Sequence, residues 1–393
     1  MKRCWWIILT LFTTQCRDAY NVTPGGNVSG ALIVEGIINA NGRTKITLSR
    51  ATTLSDKRID PEIGSLVLIE SENGGTTYPM AETANGVYES AENILEQNNR
   101  YRIRLTTFDN REYASEFKSI IISPPIDSIS WKQEDNGVRM FLNGKNDANT
   151  TSFYKWDYEE SWEFHSAYRS VLVFEQIPPD NAGNIWRLRF FDPDHQGRFD
   201  EAKFRCYNNR NSTTINVVST ANLGQNVLYY PVRFIDRGAI ELSVLYSIKV
   251  NQYAISDEGY EFFTRMKKNT EQLGSIFDAQ PSEITGNIKC LSNPGELVIG
   301  YVEASTLESK RVFINNDNLE NWNYNQGCLK YYDPTGYPYR NDRSKFANII
   351  ERGLSPTLPV KTEFGSIVTF EVEPLGCVDC RLRGSSVKPD FWP

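Results

Sequence analysis

Histidine is nearly missing: this 393-residue chain has only His165 and His195. Zinc centres and triads that draw on two or three imidazoles are therefore disfavoured, and any acid–base chemistry would fall to carboxylates or tyrosine. An excess of positive charge is missing too, with 42 Lys and Arg against 49 Asp and Glu. Without a cationic field, nucleic acid is not the expected partner. No apolar run approaches the roughly 20 residues that a membrane-spanning helix needs. Repeats and low-complexity tracts are absent as well. What remains, 40% hydrophobic and 23% charged, is the composition of a globular protein. Its length exceeds what one core usually serves, so two or three domains are expected.

The first residues suggest an address. A basic start, Lys2-Arg3, precedes the apolar run Trp5–Phe12, which is long enough for a signal peptide but not for a membrane span. Thr13-Thr14-Gln15-Cys16 follows, placing Cys16 where a bacterial lipoprotein carries its lipidated N-terminus, although Gln15 is larger than the small residue usual there. The expectation is a signal peptide over 1–15, a lipidated tether over 16–27, and anchoring through Cys16 to outer-membrane lipid. Losing the leader would deepen the net charge from −7 to −9.

Cys206, Cys290, Cys328, Cys377 and Cys380 remain once Cys4 and Cys16 are set aside. An exported compartment permits disulfides, so up to two pairs with one cysteine left over are expected. Cys377 and Cys380 have CxxC spacing, but no second CxxC, nearby His or βαβ pattern accompanies them. Structural pairing with upstream cysteines is favoured over redox or zinc chemistry.

Strand patterns dominate the chain. Residues 31–38 and 43–49 flank Asn39-Ala40-Asn41-Gly42 as a hairpin, and 65–70 and 76–80 flank Asn73-Gly74-Gly75. Segments 86–90, 100–106 and 111–115 complete a predicted sandwich over 28–123, ended by the stiff Ser123-Pro124-Pro125. A second β-rich domain is expected over 124–255, with strands at 126–131, 137–142, 153–158, 161–164 and 242–253. A helix is expected over about 256–273. Ser256 is its N-cap, Asp257 and Glu258 lie in its first turn, and Gly274 is its terminator. Its apolar stripe runs through Tyr260, Phe263 and Met266. Residues 256–393 read as this helix plus a strand-and-loop cysteine region packed on the second domain, with 315–360 rich in turns. The fold class is mainly β: tandem immunoglobulin- or fibronectin-like sandwiches with one helix of note.

Three local features could carry chemistry. Asp192, Asp194, Gln196 and Asp200 have the oxygen-ligand spacing of a calcium loop, with Gly197 at its sixth position, but Lys203 replaces the bidentate Glu at the twelfth. A polar turn is the favoured reading. Asp157, Glu159, Glu160, Glu163 and Glu175 lie among aromatics, a combination glycosidases use, although Asp157 and Glu159 share one strand face. Aromatic rings cluster at Tyr154, Trp156, Tyr158, Trp162, Phe164 and Tyr168, expected as core over 153–164. Tyr331, Tyr332, Tyr337 and Tyr339 lie in a turn-rich segment and are expected to be exposed, which makes them candidates for binding, with core filling as the alternative.

Several blocks resemble one family of Bacteroidota lipoproteins, that with domain of unknown function 4249. They are Leu32–Gly36, Pro124–Ser128, Tyr246–Tyr253, Gly274–Pro281, Gly286–Ile288, Gly300–Ser305 and Cys377–Gly384 running to Pro389–Trp392. Asp127-Ser128-Ile129 also resembles the O-glycosylation acceptor of such proteins, making Ser128 a candidate. The resemblance implies a surface or outer-membrane lipoprotein, of the kind often encoded beside TonB-dependent receptors, and brings no catalytic residues or cofactor with it. The expected function is a non-enzymatic accessory or ligand-binding partner of such a transporter. The alternatives are an extracellular glycan hydrolase using paired carboxylates, and an adhesin or matrix component.

Overall fold

The computed structural model describes residues 30–52, 58–146, 151–177, 185–195, 197–221, 227–271, 286–329 and 343–393. Cys16, the leader and tether, Gln196, Gly274 and Tyr331–Tyr339 lie outside them. The chain is mainly β, and among the described residues its strands gather around three separate cores.

The first core follows directly from alternation. Strand Arg100–Thr106 turns Tyr101, Ile103 and Leu105 inward. Its intervening residues Arg102 and Arg104 reach Glu70 on the neighbouring strand Leu66–Ser71, at 2.7 and 3.2 Å. A period of two thus builds an apolar face and an ion-paired face at once. Leu66–Ser71 returns to Thr77–Ala84 through a turn in which Gly74 and Gly75 both have positive φ, a conformation glycine adopts without a Cβ penalty. Leu32–Asn39 pairs with Lys45–Arg50 as the hairpin pattern predicts. Lys118–Ile121 pairs both with Ala304–Ser305 and with Arg100–Thr106, so the pairings form a closed ring.

Among the described residues, three strands of this sheet come from far along the chain. Val298–Gly300 and Ala304–Ser305 run parallel to Leu32–Asn39, and Ile288–Cys290 pairs with Glu112–Ser115. Gly300 has φ +152, and a Cβ there would lie 2.3 Å from the Val34 carbonyl oxygen. A Cβ on Gly286 would fall 1.6 Å from the Gly300 oxygen. Only glycine lets these backbones approach so closely.

The second core is a sandwich. A sheet of Ile126–Glu134, Gly137–Lys145 and Val227–Asp236 faces one built on Phe153–His165, Leu245–Ala254 and Leu307–Asn315. Phe153–His165 is one continuous 13-residue strand, where the sequence suggested two. Tyr154, Trp156, Tyr158, Trp162 and Phe164 are buried as expected.

The third core was not anticipated. Hairpin Leu172–Ile177/Ile185–Phe190 packs with hairpin Leu354–Lys361/Ile367–Pro374 and helix Arg343–Glu351 around Leu172, Phe346, Ile349 and Phe370. Residues 256–393 are therefore not one region packed on the second domain. Residues 288–305 enter the first core, 307–315 the second and 343–374 the third. The turn-rich reading of 315–360 holds for 316–329, whereas Arg343–Glu351 is a helix and Leu354–Lys361 a strand. Strand partners so distant in sequence leave no local pattern to read.

The expected helix is present as Asp257–Glu271. The Ser256 hydroxyl accepts the Gly259 N–H at 3.1 Å, the predicted N-cap bond. Its buried side chain is Phe262 rather than Tyr260 or Met266. The face shifts because the helix docks on Tyr301, with Phe262 and Tyr301 ring centroids 5.4 Å apart.

Candidate functional site

Each acidic residue flagged for glycosidase chemistry is held by a neighbour. Asn251 donates to Asp157 at 2.7 Å, while Lys249 and Arg311 each lie 3.7 Å from Glu159. Glu175 is gripped by Arg187 and Arg189. Its pKa is lowered chiefly by the Arg187 hydrogen bond.

Glu160 occupies a core-facing position between Tyr158 and Trp162 and is 1% exposed. It accepts hydrogen bonds from Arg210, Arg233 and the Tyr246 hydroxyl at 2.9, 2.9 and 2.7 Å. A buried carboxylate needs such saturation to remain in an apolar layer. Glu163 accepts from Trp392 and also contacts His165 and Arg205. None of the five lines either cavity described below.

The candidate calcium loop is a turn. Asp192 Oδ1 accepts the backbone N–H groups of Asp194 and His195, and its Oδ2 faces His195 and Arg198. Asp200 caps the short helix Glu201–Phe204 and pairs with Lys203. These oxygens serve backbone N–H groups and neighbouring cations. Among the described residues, no three acidic, His or Cys side chains are grouped to hold a metal ion. Ser128 is exposed on strand Ile126–Glu134, and its hydroxyl receives Asn143 Nδ2 at 3.1 Å.

Four cysteines form two disulfides, Cys206–Cys380 and Cys328–Cys377. The CxxC cysteines thus pair separately with upstream partners. Tyr168 packs on the same corner, its backbone N–H donating to the Cys377 carbonyl and its hydroxyl to that of Cys328. Cys290 is no disulfide partner. It is a buried free thiol on the strand opposite Tyr113, in a different core from Cys206 and Cys380.

A site the sequence did not reveal lies where the first and second domains meet. A cleft of about 530 Å³ is lined by Arg100, Glu116, Phe117, Lys118, Ser119, Ile121, Ser256, Glu258 and Glu303. One family-like block, Gly300–Ser305, contributes Glu303 to its wall. Asn287 clamps Val302, its Oδ1 accepting the backbone N–H at 2.9 Å and its Nδ2 donating to the carbonyl at 2.8 Å. That clamp fixes Tyr301 and Glu303 on either side.

Glu303 is 1% exposed. Its Oε1 accepts both the backbone N–H and the hydroxyl of Ser256, and its Oε2 has no hydrogen-bond partner. Burial pushes the Glu303 carboxyl above the usual range, against the opposing pull of Ser256 and Lys118. Gly259 is required behind it, since a Cβ there would sit 2.5 Å from Glu303 Oε1.

Of the two cations of the cleft, Arg100 is engaged elsewhere, while Lys118 acts on Glu303 and Glu258 within it. Arg100 holds Glu72 and the Phe117 carbonyl, and the Lys118 ammonium sits 5.0 Å above the Tyr301 ring. Helix N-terminal N–H bonds hold Glu258 below the ordinary carboxylate range. The sequence marks Ser256 as a cap alone; its bond to a carboxylate 47 residues later has no local signal.

A second depression, about 830 Å³, lies on the first domain between Arg50, Glu62, Ile63, Glu82 and Phe108. Arg50 also bonds the Gly30 carbonyl, so this end is where the chain enters the domain. Ile59, Ile63 and Phe108 are exposed there.

Residues 18–311 match the family described as "Domain of unknown function (DUF4249)". The chain belongs to the DUF4249 family. No curated protein matches this DUF4249 chain. A solved structure of manganese lipoxygenase of Gaeumannomyces graminis with partial zonadhesin of Komagataella pastoris aligns over 59% of this chain and 91% of that one, at 8% identity and TM-score 0.17. A biofilm-associated protein BSP domain aligns over 88% and 77%, at 8% identity and TM-score 0.14. Scores this low carry no argument about fold or function. Among the described residues of this DUF4249 protein, no helix is long and apolar enough to cross a membrane.

Proposed function

We propose that this protein is an exported lipoprotein, tethered to the outer membrane through Cys16, and a non-enzymatic accessory or ligand-binding partner of a TonB-dependent transporter in nutrient uptake. The observation that carries export is the pair of disulfides, Cys206–Cys380 and Cys328–Cys377. Such cross-links persist in oxidising compartments outside the cytosol. The Cys16 context and the polar tether leading to Gly30 agree with it. Exposed Ile59, Ile63 and Phe108 at the tethered end suit a contact with membrane or receptor.

The binding role rests on the interdomain cleft, whose size suits a small ligand and whose buried Glu303 has an unused oxygen. The carboxylates of the acidic strand serve as ion-pair and hydrogen-bond partners, which favours a structural role for them over hydrolysis.

Affinity purification of the full-length protein from native membranes in mild detergent tests the reading. A large β-barrel receptor should co-purify, and Cys16→Ala should move the protein out of the membrane fraction. Recovery of the protein alone, or unchanged membrane association of the variant, would overturn it.

A further inference from the structure

We infer that the interdomain cleft binds the primary ammonium group of a small organic ligand, with Glu303 Oε2 as its acceptor. This names the ligand class for the binding role proposed above, and it rests on that role.

Glu303 has an unmet need. Glu303 is nine-tenths buried and more, one oxygen is spent on Ser256, and the other has no partner. A buried carboxylate oxygen without a donor is costly, and an opposite charge offsets that cost better than a neutral hydroxyl. Glu303 is among the residues that line the cleft, and its Oε2 is covered, so a ligand that displaces this cover can supply the missing donor.

The charges at the mouth select its sign. Glu116 and Glu258 add two exposed carboxylates, while the guanidinium of Arg100 is occupied by Glu72 and the Phe117 carbonyl. An anion would meet Glu116, Glu258 and Glu303 against Lys118 alone, and so more repulsion than attraction. A divalent metal ion would need several converged oxygen ligands, and no such group exists among the described residues. A primary ammonium, with three N–H donors and one positive charge, meets both requirements.

Lys118, on the same wall, offers a contact for a carboxylate on the ligand. The shared chemistry is therefore the ammonium. Whether it comes from a zwitterion or a simple diamine depends on what Lys118 contributes.

Isothermal titration of the full-length protein in detergent decides the matter, with three probes: glycylglycine, N-acetylglycylglycine and 1,4-diaminobutane. Glycylglycine or the diamine should bind and the acetylated dipeptide should not. Glu303→Gln should weaken binding at least tenfold while the melting transition stays cooperative. Preference for glycylglycine that is lost in Lys118→Met identifies a zwitterion; equal binding of the diamine identifies a simple amine.

No heat with any probe, equal binding of the acetylated dipeptide, or unchanged affinity in Glu303→Gln would overturn the inference. A protein that recovers the β-barrel receptor yet ignores the amines loses only the ligand class. One that binds amines but recovers no receptor loses only the transporter.

Discussion

Trp392, the penultimate residue, donates its indole N–H to Glu163 Oε2 at 3.3 Å, across 229 positions of sequence. The bond anchors a C-terminal segment laid over the outer face of the five-stranded sheet. The Trp392 ring meets Tyr207 and Phe313 edge-on, with centroids 5.5 and 5.6 Å away, and the Arg311 guanidinium lies 3.8 Å from the Phe391 centroid. This cover explains why Ser161 and Glu163 are buried, although strand alternation assigns them to the outer face.

Glu163 should make stability sensitive to acid. Burial opposes its ionisation, but the His165 hydrogen bond, the Arg205 charge and the Trp392 N–H outweigh it and lower its pKa below the ordinary 4.5. A carboxyl with a depressed folded pKa contributes stability that is present above its unfolded value and lost as pH falls through the folded one. Glu163→Gln should therefore flatten the loss of melting temperature below about pH 4.5. Melting curves of both proteins across the acid range check this; parallel curves would contradict it.

Glu160 should tolerate no single truncation. Glu160→Ala leaves Arg233 and the Tyr246 hydroxyl without their carboxylate inside the second core. Breaking a buried pair on one side typically costs about 3–5 kcal/mol. Arg210, whose side chain is 43% exposed, can turn to solvent and adds less. The double variant Glu160→Leu/Arg233→Met should recover much of the loss, since replacing both partners removes the stranded charge. Urea denaturation of the single and double variants measures the difference.

The two disulfides should stabilise the protein against unfolding. Removing Cys206–Cys380 by a paired serine substitution should cost about 2–4 kcal/mol, read from denaturant midpoints with and without reductant. Peptide mapping under non-reducing conditions should recover Cys206 with Cys380 and Cys328 with Cys377. Cys290 should react with an alkylating agent only after unfolding, because it is buried.

Local rules carried the elements whose reasons are local. Alternation in Arg100–Thr106 marks both of its faces, Ser256 caps the helix it precedes, and Asn73-Gly74-Gly75 turns the chain between neighbouring strands. The cysteine count likewise anticipated two pairs with one thiol left over. Phe153–His165 is the instructive mixture. Its aromatic period announces a buried face, yet the same period places Glu160 within it, and only Arg210, Arg233 and Tyr246 from other elements make that position tenable.

The sequence by itself determined a mainly β protein, its short-range hairpins, its capped helix and its membership of the DUF4249 family. Those depend on side-chain periods and turn chemistry within a few residues. Tertiary structure alone decided that Val298–Ser305 would complete the first domain, that 343–374 would join 172–190, and that Cys377 and Cys380 would part to different partners. It also decided that Glu303 would be buried against Ser256 at the wall of a cleft. The physical reason is that strand pairing and burial join residues through space, where the backbone partners of one strand can lie hundreds of positions away and leave no trace in its own period.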